Sequence, residues 1–146
     1  MLFQKTRTII IIGASRFGAG LAGLMSEKGF RVIVLDVNEG AFRKLPEDFG
    51  GYQIVGDGTD TDTLRQAGIE EADTVIASTD DDNTNILTAQ IASRIFQIPH
   101  VYTRLNDRNK AKIVEGFNIK PICPYVLSVN EFIRLSDGVY GEVKGS

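Results

Sequence analysis

Cysteine, histidine and tryptophan are almost missing from this chain. Its 146 residues include one cysteine, Cys123, one histidine, His100, and no tryptophan. A single cysteine cannot form an internal disulfide, and neither residue has a visible partner for nucleophilic or acid–base catalysis. Both are therefore interpreted as structural, with Cys123 as a core thiol, and no catalytic or metal-ligating residue is predicted.

Long apolar runs and clustered positive charge are missing as well. No stretch approaches the ~20 apolar residues of a membrane-spanning helix. The net charge is −3, and nucleic-acid modules bind phosphates mainly through clustered lysine and arginine. The apolar stretch after MLFQKTRT is too short for a secretory signal. A cytoplasmic protein of one domain is expected, because a chain of this length leaves no room for a second.

Short apolar segments bounded by turn residues recur along the chain and predict strands. The first two are continuously apolar, which is typical of strands buried on both faces of a sheet. The six predicted strands cover residues 9–12, 32–35, 52–55, 74–77, 100–103 and 119–122.

Segments with helical spacing separate these strands, as in Phe17, Leu21, Leu24 and Met25. The alternation predicts the α/β class, with a Rossmann-type doubly wound parallel sheet, three layers and strand order 3-2-1-4-5-6. Pro121 cannot donate to a strand ladder, so its strand is expected at the sheet edge.

Turn and cap residues agree with this fold. Thr59 and Asp62 resemble a capping box, Gly68 suits a left-handed residue after a helix, and Gly116 is expected to end the helix that begins near Asp107. Residues 1–137 are assigned to the nucleotide-binding domain argued below. Residues 138–146 are expected to form a flexible tail or the stump of a longer chain.

The first predicted strand runs directly into a glycine turn and then an amphipathic helix. Gly13 permits the tight turn and Gly18 the close contact of helix and strand. A helix N-terminus offers unpaired amides to a phosphate. Asp36 ends the second strand, where a carboxylate accepts from both ribose hydroxyls and repels the 2′-phosphate of NADP. An adenine nucleotide or NAD(H), and not NADP, is predicted.

Ser15 stands where this glycine pattern has its second glycine. A side chain at that position crowds the pyrophosphate, although a serine hydroxyl is able to donate to a phosphate oxygen. The alternative is a sharp strand-to-helix turn with a decayed site.

Further motifs give the chain a resemblance to a known family. They follow one another over nearly the whole chain: residues 13–18 (GASRFG), 35–36 with 38–39, 55–59 (VGDGT), 67–69, 72–73, 79–85 (TDDDNTN) and 102–104. In this order they resemble the regulator-of-potassium-conductance domains, the TrkA-type nucleotide-binding (RCK or KTN) modules that gate potassium channels and transporters.

The resemblance implies roles for three polar residues. Arg16 resembles an arginine that reaches phosphates, and Arg104 a second one near them; the alternatives are an exposed helix-start arginine and a local pair of Arg104 with an aspartate such as Asp107. Asp57 resembles the residue of a G-D-A-T motif that borders the adenine, with Gly58 in place of alanine, or else it caps the turn before Thr59.

The predicted nucleotide site combines the glycine loop with the carboxyl ends of the strands. The backbone of residues 77–79 is expected to line the nucleotide, because such sheets bind ligands at this edge. The predicted site residues are Gly13, Ala14, Ser15, Arg16, Phe17, Gly18, Asp36, Val37, Asn38, Gly56, Asp57, Gly58, Ala77, Ser78, Thr79 and Arg104. Asp80, Asp81 and Asp82 are expected to form a solvated helix start. Some members of the family that the chain resembles hold a divalent cation through an acidic residue after the last strand. Tyr125 follows that strand here and has no carboxylate, so no cation that bridges subunits is predicted.

The last helix, residues 126–135, carries apolar side chains on nearly every side, so its burial requires more than its own sheet. The resemblance implies a homodimer or larger ring formed through this helix, with burial inside the monomer as the alternative. It also implies a non-enzymatic regulatory subunit on the inner face of the cell membrane, partnered with a potassium transporter or channel. An NAD-dependent oxidoreductase fragment and a structural partner with an empty pocket are the rival functions. No C-terminal lobe of the kind that full family subunits carry is expected within this sequence.

Overall fold

Six parallel strands form one sheet in the computed structural model, which describes residues 7–141. The strands are β1 (Thr8–Ile12), β2 (Arg31–Asp36), β3 (Tyr52–Val55), β4 (Thr74–Ala77), β5 (His100–Arg104) and β6 (Ile119–Ile122). Their order is β3-β2-β1-β4-β5-β6, which confirms the predicted Rossmann topology. β6 lies at an edge, as Pro121 requires.

Four α-helices accompany the sheet in residues 7–141: α1 (Arg16–Glu27), α2 (Thr61–Gln66), α3 (Asp82–Gln90) and α4 (Pro124–Leu135). The connections from β2 to β3 and from β5 to β6 contain 3₁₀ helices, Glu39–Lys44 and Arg108–Val114. A π-helical turn, Ile91–Ile95, follows α3. The segment beginning near Asp107 was expected to form an ordinary helix, but it is 3₁₀.

Two hydrophobic cores lie on opposite faces of the sheet. Alternate residues of β1 serve different cores, with Ile10 and Ile12 facing α2 and α3, and Ile9 and Ile11 facing α1. All four are at most 3% exposed. The continuous apolar run of β1 therefore follows from burial on both faces.

One predicted helix cap differs from the structure. Asp60, and not Thr59, caps α2, because its carboxylate accepts from the Asp62 amide and the Thr63 hydroxyl. Gly68 and Gly116 have positive φ, as expected for left-handed residues after helical segments. Of the expected tail, residues 138–141 carry turns and bends, and residues 142–146 lie outside the described part of the chain.

Helix α4 is the one α-helix of residues 7–141 with no buried residue. Tyr125, Leu127, Phe132 and Leu135 are each 59–69% exposed. Within the described part of the chain, the alternative that the monomer itself buries this helix is therefore wrong. Across residues 7–141, no helix is both long enough and apolar enough to cross a membrane.

Candidate functional site

A cleft with a volume of about 590 Å³ lies at the carboxyl edge of the sheet. Loops after β1, β2, β3 and β4 form its walls. Ten of the predicted site residues line it: Gly13, Ala14, Ser15, Asp36, Val37, Asn38, Gly56, Asp57, Gly58 and Thr79. This is the place where open α/β sheets bind their ligands, since the strand order reverses between β1 and β4.

The glycine turn is built by close backbone contacts. Gly13 has φ +105°, and a Cβ there would lie 2.6 Å from the Thr79 nitrogen. A Cβ on Gly18 would collide with the carbonyl oxygen of Gly13 and with Ser78 Oγ. Both glycines are therefore required by the backbone conformation and by the approach of α1 to the loop.

Ser15 lines the cleft, but its hydroxyl is directed to the end of β4 and to α1. Its hydroxyl donates to the Ser78 carbonyl oxygen (2.5 Å) and accepts from the Gly18 amide (3.1 Å), so it caps α1 and ties the loop to the end of β4. The side chain is 8% exposed. The hydroxyl is therefore engaged with the protein backbone, and its effect on a bound phosphate stays a prediction.

Asp36 faces the glycine loop. Its Oδ2 accepts from the Ala14 amide and its Oδ1 from the Asn38 amide, both at 2.8 Å. Each oxygen accepts one of these amides and keeps capacity for another donor. The carboxylate is thereby fixed at the mouth of the cleft, and Asn38 in turn caps the helix Glu39–Lys44.

Asp57 stands on the wall that follows β3. The side chain and amide of Thr59 donate to Asp57 Oδ1 at 2.7 and 2.8 Å, and these hydrogen bonds lower the pKa of the Asp57 carboxyl. The turn-capping alternative is therefore present in the structure, while Oδ2 of Asp57 has no hydrogen-bond partner among residues 7–141. Gly58 packs against the Ile12 side chain, leaving no space for a Cβ, which explains glycine in place of alanine.

Six predicted site residues do not line this cleft: Arg16, Phe17, Gly18, Ala77, Ser78 and Arg104. Ala77 and Ser78 are fully buried beneath the loop, where Ser78 Oγ donates to the Gly13 carbonyl (2.9 Å). The glycine turn separates these two residues from the cleft, and a contact of their backbone with a nucleotide stays a prediction.

Arg16 and Arg104 line a second pocket of about 370 Å³ between the start of α1 and α4. Arg104 pairs with Asp80 (3.8 Å), and not with Asp107, which caps the helix Arg108–Val114. Because Asp80 lines the main cleft, this ion pair spans the wall between the two pockets. Arg104 Nε is buried and has no partner in the described residues.

The three consecutive aspartates have different environments. Asp80 is exposed, and Asp81 caps α3 by accepting from the Thr84 side chain and amide, which lower the pKa of its carboxyl. Asp82 is 8% exposed and accepts the Asn106 and Asp107 amides at 2.8 and 2.9 Å. The expectation of a solvated position is wrong for Asp82, which holds the loop after β5.

Sequence reasoning missed several residues that shape the cleft. Lys44, Thr59, Asp80, Asp81 and Thr84 line it. Asn85 is 1% exposed and accepts from the Thr79 amide while donating to the Arg104 carbonyl oxygen, so it joins the ends of β4 and β5. The only sequence signal was the polar run of residues 79–85.

His100 and Cys123, the two residues interpreted as structural, lie outside the cleft. His100 is exposed at the start of β5. Cys123 is only partly buried and precedes α4, so the expectation of a core thiol is corrected. Among residues 7–141 no group of three or more histidine, cysteine, aspartate or glutamate side chains is placed to hold a metal ion.

Known proteins share this sequence pattern. The TrkA-N domain model matches residues 9–123. The chain is 35% identical over 126 residues to the Trk system potassium uptake protein TrkA of Streptomyces coelicolor, covering 86% of this chain and 56% of that protein. A TrkA homologue of Pyrococcus abyssi is 35% identical over 107 residues, covering 73% and 47%. The chain thus spans about half the length of these relatives.

Solved structures share the fold. The structure of GsuK bound to ADP has a TM-score of 0.74 and 26% identity, covering 90% of this chain and 34% of that one. The TrkA-N domain of the Escherichia coli inner membrane protein ybaL has a TM-score of 0.77 at 15% identity, covering 91% and 98%, and so shares the fold alone. With the glycine turn, Asp36 and the strand order in place, the match over residues 9–123 shows that this chain belongs to the TrkA-N domain family.

Proposed function

We propose that this chain is the nucleotide-binding regulatory part of a potassium uptake transporter or channel, in which nucleotide binding is coupled to gating. The observation that carries the proposal is the cleft formed by the glycine turn and Asp36 at the sheet edge. Relatives named as potassium uptake proteins support the transport role, and GsuK, which is 26% identical, has been solved with ADP.

The proposed ligand is ATP, ADP, AMP or NAD(H). The amides of Ser15, Arg16 and Phe17 have no partner within residues 7–141 and open α1, where a phosphate is favoured by the helix dipole. Asp57, with one free oxygen, is the proposed acceptor for the adenine amino group. Asp36 is the proposed ribose acceptor, and its charge disfavours the additional phosphate of NADP.

We propose a binding role and no catalysis. Asp36 accepts one amide from the glycine loop and one from its own loop, Asp81 accepts the amide and side chain of Thr84, and Asp57 is held by Thr59. These carboxylates therefore organise the cleft walls. An oxidoreductase needs an acid or base beside the nicotinamide and a substrate pocket. Substrate-dependent NADH turnover by the chain would favour that alternative.

The proposed assembly is a homodimer or larger ring through α4. Apolar side chains on several sides of this helix are exposed in a single copy, and a second copy would remove them from water. The proposed location is the cytoplasm, on the inner face of the cell membrane, where the ring contacts the transporter. A nucleotide shifts the ring from one arrangement to another only if it binds the two arrangements with different affinities.

A melting-temperature panel with AMP, ADP, ATP, NAD, NADH and NADP tests the ligand. A ligand at about 100 times its Kd stabilises the native state by about 2.7 kcal/mol. We expect stabilisation by one or more of the first five, none by NADP, and a reduced effect in Asp36→Asn. Asp48→Asn, an exposed aspartate outside the cleft, is the matched control. No response to any nucleotide would favour the structural partner with an empty site.

Potassium flux in vesicles tests the regulatory step. The transporter is reconstituted with and without this chain, and each nucleotide is added in turn. We expect the chain to change the flux and the nucleotide to change it further. A flux that ignores both would contradict the proposed function.

A further inference from the structure

The charges on the cleft wall are unequal. Four carboxylates line it, those of Asp36, Asp57, Asp80 and Asp81, and within residues 7–141 Lys44 is the single basic side chain that does so. The arginines predicted from the sequence to serve the nucleotide, Arg16 and Arg104, line the neighbouring pocket. Lys44 is therefore the cationic side chain placed to meet a ligand in this cleft.

Lys44 and Asp36 approach the same residue of the glycine loop. The Lys44 ammonium donates to the Ala14 carbonyl oxygen (3.3 Å), and the Ala14 amide donates to Asp36 Oδ2 (2.8 Å). Among the described residues Lys44 forms no ion pair, so its ammonium has two hydrogens left to donate. Both side chains also line the cleft, so a group that binds at Asp36 enters a cleft that holds an ammonium on a flexible stem.

The two side chains have complementary hydrogen-bonding character. A carboxylate only accepts and an ammonium only donates, whereas a hydroxyl does both. One sugar hydroxyl can therefore donate to Asp36 and accept from Lys44 at once. A hydrogen atom in place of the hydroxyl neither donates to Asp36 nor accepts from Lys44. A phosphate ester at that position is negatively charged and is repelled by the Asp36 carboxylate.

We propose that Lys44 is a ribose-specificity residue, which together with Asp36 selects an intact ribose diol in the bound nucleotide. This inference rests on the proposed function, since it assumes that a nucleotide occupies the cleft with its ribose at Asp36. Lys44 acts on one ribose hydroxyl, and the ligand class is a ribonucleotide without a phosphate on that hydroxyl.

The test uses Kd values for AMP, 2′-deoxy-AMP and 3′-deoxy-AMP, measured by NMR titration of the wild-type chain, Lys44→Met, Lys44→Arg and Lys120→Met. Lys120 is exposed on β6 outside the cleft and is the matched control. We expect Lys44→Met to weaken AMP binding by about tenfold or more, the loss of one hydrogen bond to a charged group. It should leave unchanged the affinity for whichever deoxy ligand lacks the contacted hydroxyl.

Lys44→Arg should keep part of the preference for ribose, and Lys120→Met should match the wild type. An equal loss for all three ligands in Lys44→Met would overturn the assignment, because Lys44 would then act on the phosphate or only through Ala14. No loss for AMP would overturn it as well. If the chain binds AMP but the effect of Lys44→Met is the same with and without either hydroxyl, this inference alone is contradicted. If the wild-type chain does not bind AMP, the proposed function is contradicted.

Discussion

The carboxyl edge of the sheet and helix α4 differ in how far a single copy of this chain buries their side chains. At the edge, side chains such as Ser15 and Asn85 tie separate loops together and are at least 92% buried. Along α4, no residue is buried and large apolar side chains face outward. Contacts within one copy hold the first region together, while the second exposes apolar side chains that one copy leaves uncovered.

The largest loss of stability is expected from a substitution in the glycine turn. Gly13→Ala should lower the free energy of unfolding by about 3 kcal/mol or more, because a Cβ at φ +105° meets the Thr79 backbone. Gly20→Ala is the control, since its Cβ meets no atom within 4 Å, and it should raise stability by about 0.5–1 kcal/mol. Urea unfolding measures both, and equal effects would show that the turn is not close-packed.

A smaller loss is expected at Asp82. Asp82→Ala leaves the Asn106 and Asp107 amides without their acceptor, which should cost about 2–3 kcal/mol. Asp62→Ala, at a position where the side chain is 83% exposed, should change stability by about 0.5 kcal/mol or less. Thermal unfolding compares the two, and a similar response would mean that the buried carboxylate does not hold the loop after β5.

A substitution at Ser15 removes a loop contact at the carboxyl edge of the sheet and leaves every carboxylate in place. Ser15→Ala should lower the unfolding free energy by about 1–2 kcal/mol, through loss of the cap of α1 and of the bond to Ser78. Because the hydroxyl faces away from the cleft, nucleotide affinity should remain close to that of the wild type. Ser26→Ala, later in the same helix, is the matched control and should be nearly neutral. A large gain in affinity in Ser15→Ala would restore the crowding interpretation.

The smallest effect on the monomer is expected in α4. Leu135→Ala removes a side chain that is 69% exposed and should change stability by about 0.5 kcal/mol or less at low protein concentration. The same substitution at the fully buried Leu64 should cost about 2–5 kcal/mol. Light scattering at higher concentration should show less self-association in Leu135→Ala. An undiminished assembly would remove Leu135 from the proposed interface.

The sequence was sufficient for features that depend on local pattern. The unbroken apolar runs of β1 and β2 predicted strands buried on both faces, and the spacing from the glycine turn to Asp36 predicted their meeting at one edge. The 3₁₀ helix Glu39–Lys44 was not predicted, because its conformation depends on how that crossover packs against the sheet.

Contacts between distant segments account for what the sequence did not reveal. Ser15 turns inward because the fold brings Ser78 to it, and the separation along the chain is 63 residues. Three successive aspartates look alike in the sequence, yet only Asp82 faces the loop after β5. Lys44 reaches the glycine loop across 30 residues, a contact that no local motif predicts.

The most direct test of the proposed nucleotide cleft is the change in backbone amide NMR shifts when ADP is added to the wild-type chain. We expect the largest changes at the amides of Ser15, Arg16 and Phe17, followed by Asn38, because the first three are the proposed phosphate donors and the last adjoins the proposed ribose acceptor. Changes confined to the pocket of Arg104 and Leu127, or no change at all, would contradict the account.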